Sequence, residues 1–228
     1  MTDLAALAGK AVAVPLGAIA RFRRGRAMHP RGAVFDAVLE RHGASPPFGV
    51  PWLDEVRSDP VVVRLSRGAG LPAPLPDVLG LAVRMGSDDD PVDILLSSTG
   101  QGRLGRLVPV PRVDAEGVYS SIMAFRSAAG PIRFAALPRA ASVSSDPEPV
   151  AAAAAHGAID LSLAAAVGSE GWRPFARLRS TSARGPLDSA IRFDAVLNPP
   201  PGLTADGPMA RFCRPAYATA RRAGPLGR

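Results

Sequence analysis

Residues 61–85, VVVRLSRGAGLPAPLPDVLGLAVRM, carry the reading that decides the fold. Val61, Val62 and Val63 open a β-branched run that reads as a strand over 61–66, buried on both faces. A Gly/Pro loop follows, then a second apolar strand over 79–85, so two strands face each other across the loop. Arg64 stands inside the first of them. A guanidinium there needs an anion, a carboxylate or a π-system beside it, because an unpaired buried charge costs on the order of several kcal/mol. Two readings follow: Arg64 pairs with Asp77 or Asp93, or it faces an anionic ligand in a pocket.

Outward from this stretch, further apolar runs read as strands near 33–41, 92–96, 118–125, 132–137, 158–167 and 172–180. With 60–66 and 79–85 that makes about eight, enough to close an antiparallel barrel just wide enough for one small ligand. In 33–41 the residues Val34, Asp36, Val38 and Glu40 alternate with Phe35, Ala37 and Leu39, which leaves the apolar side open. Asp88-Asp89-Asp90-Pro91 is a tight acidic turn without the alternating ligand spacing of a calcium loop. Residues 127–131 and 168–171 are hairpin turns, and 48–54 is a loop anchored by Trp52. Residues 140–149 form a polar linker, 151–155 start a short helix, and His156 beyond it is exposed. Arg103, Arg106 and Arg112 line a Gly/Pro loop as a basic rim, and a helix is predicted over 209–222.

Composition agrees with a β-rich domain. The chain has 228 residues, 47% of them apolar, with 23 glycines and 24 prolines, a load that helix-rich folds rarely tolerate. The net charge of +7 is almost all arginine, since Lys10 is the lone lysine. That suits anionic partners, and it equally suits a GC-rich coding bias. Aromatic residues are only 5% and scattered, which argues against specific nucleic-acid binding. The single Cys213 excludes an intrachain disulfide and suits a reducing, cytoplasmic compartment. Residues 1–25 form an N-terminal helical arm with a break at Pro15, ahead of a domain over 26–228. No basic segment leads a signal peptide, and the arginines of the arm suit peripheral membrane contact.

The order of motifs also carries a family resemblance. Val63-Arg64-Leu65-Ser66, then Asp77-Val78-Leu79-Gly80-Leu81-Ala82-Val83, then Asp93-Ile94 through Thr99, resembles the distal half of the haem-catalase barrel. Arg26-Ala27-Met28-His29-Pro30-Arg31-Gly32 is similar to the Arg-x-x-His-x-x-Gly run that opens the first barrel strand of catalases. Near the C-terminus, Phe193-Asp194, a Pro-Gly-Leu segment and a helix with Arg214, Tyr217 and Arg221 on one face follow the same order. The fold implied is an antiparallel, catalase-like barrel with flanking N- and C-terminal helices.

The resemblance implies haem as cofactor and His29 as the distal base. It places Arg26 on a haem propionate, Arg64 facing the haem, and Tyr217 as the axial ligand of the metal, its phenolate held by Arg214 and Arg221. The residues by themselves say less. Neighbouring arginines keep His29 neutral and ready to accept a proton, while a histidine ahead of a strand also serves structure. The chain departs from the family in two places. Ser97 and Ser98 stand where catalases carry two asparagines, so their hydroxyls replace a longer-reaching amide donor. The Arg214–Tyr217 spacing is three rather than four, with Pro215 between them. The expected activity is a small peroxidase acting on hydrogen peroxide or an organic hydroperoxide. Its rival is a haem-free barrel binding another small anionic or apolar ligand. A small-molecule substrate and self-association complete the expectations.

Overall fold

The computed structural model describes residues 28–222 except 116, 140–142, 186 and 188–190, and, in the last helix, not the side chains of 216, 217 and 219–222. The strands are β1 (Arg31–His42), β2 (Val56–Arg67), β3 (Asp77–Gly86), β4 (Pro91–Ser98), β5 (Pro111–Arg112), β6 (Tyr119–Ser120), β7 (Phe125–Ser127), β8 (Gly130–Pro138), β9 (Asp160–Val167) and β10 (Arg173–Arg184). The helices are α1 (Pro51–Asp54), α2 (Gly102–Gly105), α3 (Pro147–Ala155) and α4 (Pro208–Arg222). Eight strands close in the order β2-β1-β10-β9-β8-β6-β4-β3 and back to β2, all antiparallel. Closure leaves no sheet edge among them.

Alternation fixes what faces where. Ala33, Phe35, Ala37 and Leu39 of β1 point inward, as do Val61, Val63 and Leu65 of β2, and Leu79, Leu81 and Val83 of β3. The even positions of β1, left open by the sequence, are therefore the outer face. The interior is filled by these side chains together with Ile94, Leu96, Phe134 and Phe175. Each of the larger ones contributes about 1.5–3 kcal/mol on burial. The expectation of a ligand inside the barrel is thereby corrected: its lumen is a packed core.

Irregularities in β10, opposite Asp36/Ala37 and at Pro174/Ala176, supply local bends that help the sheet curl shut. The strand expected over 118–125 is in fact two pieces, β6 and β7. Between them Ile122 takes a left-handed φ of 53°, and its N–H is held by Ser120 Oγ at 3.2 Å. A β-branched residue there interrupts any strand.

The two ends of the barrel differ. The near end gathers the start of β1, the end of β2, the start of β3 and the end of β4, with the loop 68–76 and, beside the start of β3, β5. α3 packs across β1 and β10 and joins Val150 and Ala154 to the core. It begins at Pro147, inside the expected linker, and His156 beyond it is exposed. At the far end, Trp52 on α1 sets its ring 6.1 Å from Phe134 and 5.8 Å from Phe175, the anchor expected of it, though 51–54 is a helical turn rather than a loop. Among the described residues no helix is long and apolar enough to cross a membrane.

Candidate functional site

The site lies on the outer face of the barrel near its near end, where the chain enters β1. His29 takes a left-handed φ of 55°, and its backbone N–H donates to Gly68 O at 2.7 Å. This turn swings the imidazole over β3. A Cβ on Gly80 would fall 2.5 Å from His29 Cε1 and 2.7 Å from Nδ1, so the absent side chain of Gly80 is the seat of the ring. His29 Nδ1 lies 3.1 Å from Ser66 Oγ, and that hydroxyl donates to Gly80 O at 3.2 Å. A hydroxyl has one proton to give. With that proton on Gly80 O, Ser66 accepts from Nδ1–H, and the network assigns the basic lone pair of the ring to Nε2.

Arg64 sits two residues before Ser66 on the same outer face, and it is buried. Its Nη2 donates to His29 O at 2.8 Å, which fixes the left-handed turn from the carbonyl side. Gly32 makes the room: a Cβ there would fall 2.8 Å from Arg64 Cζ and Nη2. The carboxylates expected beside Arg64 hold other groups. Asp93 takes two hydrogen bonds from Arg84 at 2.8 and 2.7 Å, and Asp77 accepts from the N–H groups of Ala69 at 2.9 Å and Leu71 at 3.1 Å. Cross-strand neighbours explain the choice, since Arg84 pairs directly with Asp93 while Arg64 lies opposite Ala82.

The two serines separate. Ser97 shares the outer face with Gly80, its direct partner across the β3–β4 ladder. Ser98 points the other way and is buried. It donates to Val110 O at 2.7 Å and accepts from Leu79 N–H at 2.9 Å, which makes it a structural clip for the loop that follows. Gly32, Ser66, Gly80, Ser97 and Ser120 form one row across five strands, so the floor beneath His29 carries almost no side-chain bulk. Past Ser97 the row is covered by the 101–108 segment, whose Arg106 carbonyl accepts from Ser120 Oγ at 2.5 Å.

The expected basic rim is corrected here. Arg103 is exposed, but Arg106 is buried, stacked 5.0 Å over Trp172 and bonded to the carbonyls of Glu170 and Gly168, each at 2.9 Å. Arg112 is half-buried and donates to Thr99 O at 3.3 Å.

Tyr119, one of two tyrosines, is fully buried and donates to Ala115 O at 2.9 Å. Burial pushes its phenol far above the ordinary value, so it cannot serve as a phenolate. Arg214 is exposed on α4. Arg26 and the side chains of Tyr217 and Arg221 lie outside the described residues. α4 runs unbroken past Pro215, which can offer no N–H to the carbonyl of Arg211. Among the described residues no group of three or more His, Cys, Asp or Glu side chains is placed to hold a metal ion.

Sequence reasoning gave no role to Ser66, Gly32 or Gly80, although all three stand in the quoted motifs. The usable signals were the i, i+2 spacing of Arg64 and Ser66, which puts them on one face, and a glycine inside an apolar strand, which marks a close approach.

No family model matches the chain, and no curated protein matches it. Solved structures do. A bacterial catalase superposes with a TM-score of 0.62 at 12% identity, over 90% of this chain and 59% of that one. A fungal catalase gives 0.64 at 10% identity, over 90% and 61%. The chain thus spans about three fifths of the length of these catalases. With eight antiparallel strands closed around a filled core and the His29 turn seated outside it, the chain has a catalase-like fold.

Proposed function

We propose that the chain is a small haem-binding, catalase-like protein that acts on hydrogen peroxide or an organic hydroperoxide as a peroxidase. The observation that carries the reading is His29, with Nδ1 committed to Ser66 and Nε2 basic, over a floor of glycine and serine. The missing Cβ atoms at Gly80 and Gly32 let the His29 ring and the Arg64 guanidinium lie down on the sheet, which leaves the outer side of the imidazole to a flat ligand. The residues present on this side fit haem. On the opposite side the reading relies on Tyr217 with Arg214 and Arg221, and on Arg26 for a propionate, by their resemblance to catalases.

When bound, haem supplies the redox chemistry. The residues of the chain position and protonate. Ser66 holds the imidazole in one tautomer, and Arg64 holds the backbone turn that aims it. His29 Nε2 accepts the hydroperoxide proton and returns it to the departing oxygen. Ser97, one strand over on the same face, offers a hydroxyl to the second oxygen. A hydroxyl reaches less far than an amide, which favours slow peroxidase turnover over fast dismutation.

The test is a spectrum of protein expressed with haem supplied, followed by His29→Ala. A tyrosinate-type haem spectrum, kept in the variant while hydroperoxide turnover falls about a hundredfold or more, supports the reading. Colourless protein supports the haem-free barrel, and unchanged turnover returns His29 to structure.

A further inference from the structure

Two arginines meet on the outer face of the barrel with no carboxylate beside them among the described residues. Arg133 of β8 stands between Ile132 and Phe134, which point into the core, so it points outward, opposite Ala166 of β9. Arg106 reaches the same place from the segment that covers Ser120. Both donate to the carbonyl of Gly168, Arg106 Nη2 at 2.9 Å and Arg133 Nη1 at 3.5 Å, which gathers two like charges around one oxygen. Carbonyl dipoles and one ring are all that answer them. Arg106 also donates to Glu170 O and stacks over Trp172, and its Nε is buried with no acceptor. Arg133 also donates to Ile122 O at 3.1 Å. Glu170, whose carbonyl Arg106 holds, sends its carboxylate to Arg173 at 3.6 Å instead.

Other arginines of the barrel are treated differently: Arg41 has Asp59, Arg84 has Asp93, Arg177 has Asp160 and Arg126 has Asp206. At Arg133, burial first and the charge of Arg106 second hold the guanidinium below its ordinary pKa, and no acid offsets them. Access separates the pair. Arg106 is 3% exposed, whereas Arg133 and Trp172 are half-buried, so an incoming group meets Arg133 first, with the charge of Arg106 behind it. Arg133 Nη2 donates to no protein group, which leaves its N–H groups for that visitor. Two positive charges favour a group with more than one negative charge. A carboxylate brings one; a phosphate monoester brings about 1.5 to 2 at neutral pH, on three oxygens that suit a guanidinium fork.

We propose that Arg133, backed by Arg106, binds a phosphate group on the outer face of the barrel, between β8 and the 168–172 turn. The site lies on β8, past the covering segment, and not on the floor beneath His29. It needs no haem and stands apart from the proposed activity. The phosphate is either the free ion or the monoester end of a larger molecule, and the two share the same contacts.

The test is calorimetric titration of the full chain with inorganic phosphate near neutral pH, the ionic strength held constant with chloride. The expected result is saturable binding at one site, with glycerol phosphate competing for it and acetate binding about tenfold or more weakly. Tighter binding of the free ion assigns the site to phosphate itself, and tighter binding of the ester assigns it to a phosphorylated molecule; both support the proposal. Arg133→Gln should weaken phosphate about tenfold or more, and Arg133→Lys, which keeps the charge and loses the fork, by a smaller factor. Arg103→Gln, at an exposed arginine of the covering segment, should leave binding unchanged. Thermal melts of each variant confirm folding. Absence of saturable phosphate binding to the wild type overturns the proposal, as does acetate binding of equal strength. Phosphate binding that both Arg133 variants leave intact, or that Arg103→Gln weakens as much as they do, would equally overturn it.

Discussion

Gly80→Ala isolates the contact on which the site is built. Gly80 has the extended backbone of β3, which alanine adopts as readily, so only the new methyl matters. That methyl would stand 2.5 Å from His29 Cε1, 2.7 Å from Nδ1 and 3.1 Å from Ser66 Oγ. Ordinary carbon contacts need about 3.5 Å or more, so the ring must retreat by about 1 Å. A retreat of that size carries Nδ1 out of hydrogen-bond range of Ser66, from its present 3.1 Å. Overpacking costs about 1–3 kcal/mol and the lost bond about 0.5–1.5 kcal/mol. The gain from replacing a strand glycine offsets about 0.5–1 kcal/mol. The net expectation is a loss of about 1–3 kcal/mol, or a Tm lower by roughly 3–10 °C for a domain of this size.

Urea titration followed by circular dichroism measures it. The decisive arm is the His29→Gly background, where the imidazole is gone and glycine suits the φ of 55°. There Gly80→Ala should be neutral, or stabilising by up to about 1 kcal/mol. The same penalty in both backgrounds, or none in the wild type, would refute the reasoning, because the methyl would then be meeting something other than the ring.

Three further outcomes follow from the charged groups. Asp93→Asn should cost about 3–5 kcal/mol in urea titrations, because this fully buried carboxylate answers Arg84, Asp194 N–H and Asn198 Nδ2, the last two at 2.8 Å. Arg67→Lys should cost about 2–3 kcal/mol and open 68–76 to proteolysis, since the buried guanidinium fans out to Leu71 O, Leu75 O and Ser145 Oγ and an ammonium cannot reach all three. The Arg177 hydrogen bond holds the Asp160 carboxyl below its ordinary value, so its contribution is present above that value and lost as pH falls through the lower, folded-state one. Wild type should therefore lose stability on acidification below about pH 4, and Asp160→Asn should lose less over the same range in pH-dependent melts.

The barrel was legible because its signals are local. β-Branched runs, Gly/Pro turns and the β3 and β4 motifs each declare a strand or a turn within a few residues, and the closed antiparallel sheet follows from their number. The break at Ile122 escaped because the left-handed turn there is held by Ser120 and by Arg133 donating to Ile122 O at 3.1 Å, and that arginine lies on a neighbouring strand. The partner of Arg64 escaped for a related reason. Register decides it: it places Arg84 opposite Asp93 and Arg64 opposite Ala82, from where Arg64 donates to the carbonyl of His29.

The sequence by itself determined which chemical groups are present and in what order: a histidine ahead of the first strand, Arg-x-Ser in the second, glycine in the third and serines ending the fourth. Only the tertiary structure decided that they meet outside the barrel rather than within it, and that Ser97 joins them while Ser98 does not. The physical reason is strand parity under closure. Once Phe35, Val63, Leu79 and Ile94 fill the lumen, every alternate residue is driven to the outer face. The small residues there leave the gap into which the His29 ring folds.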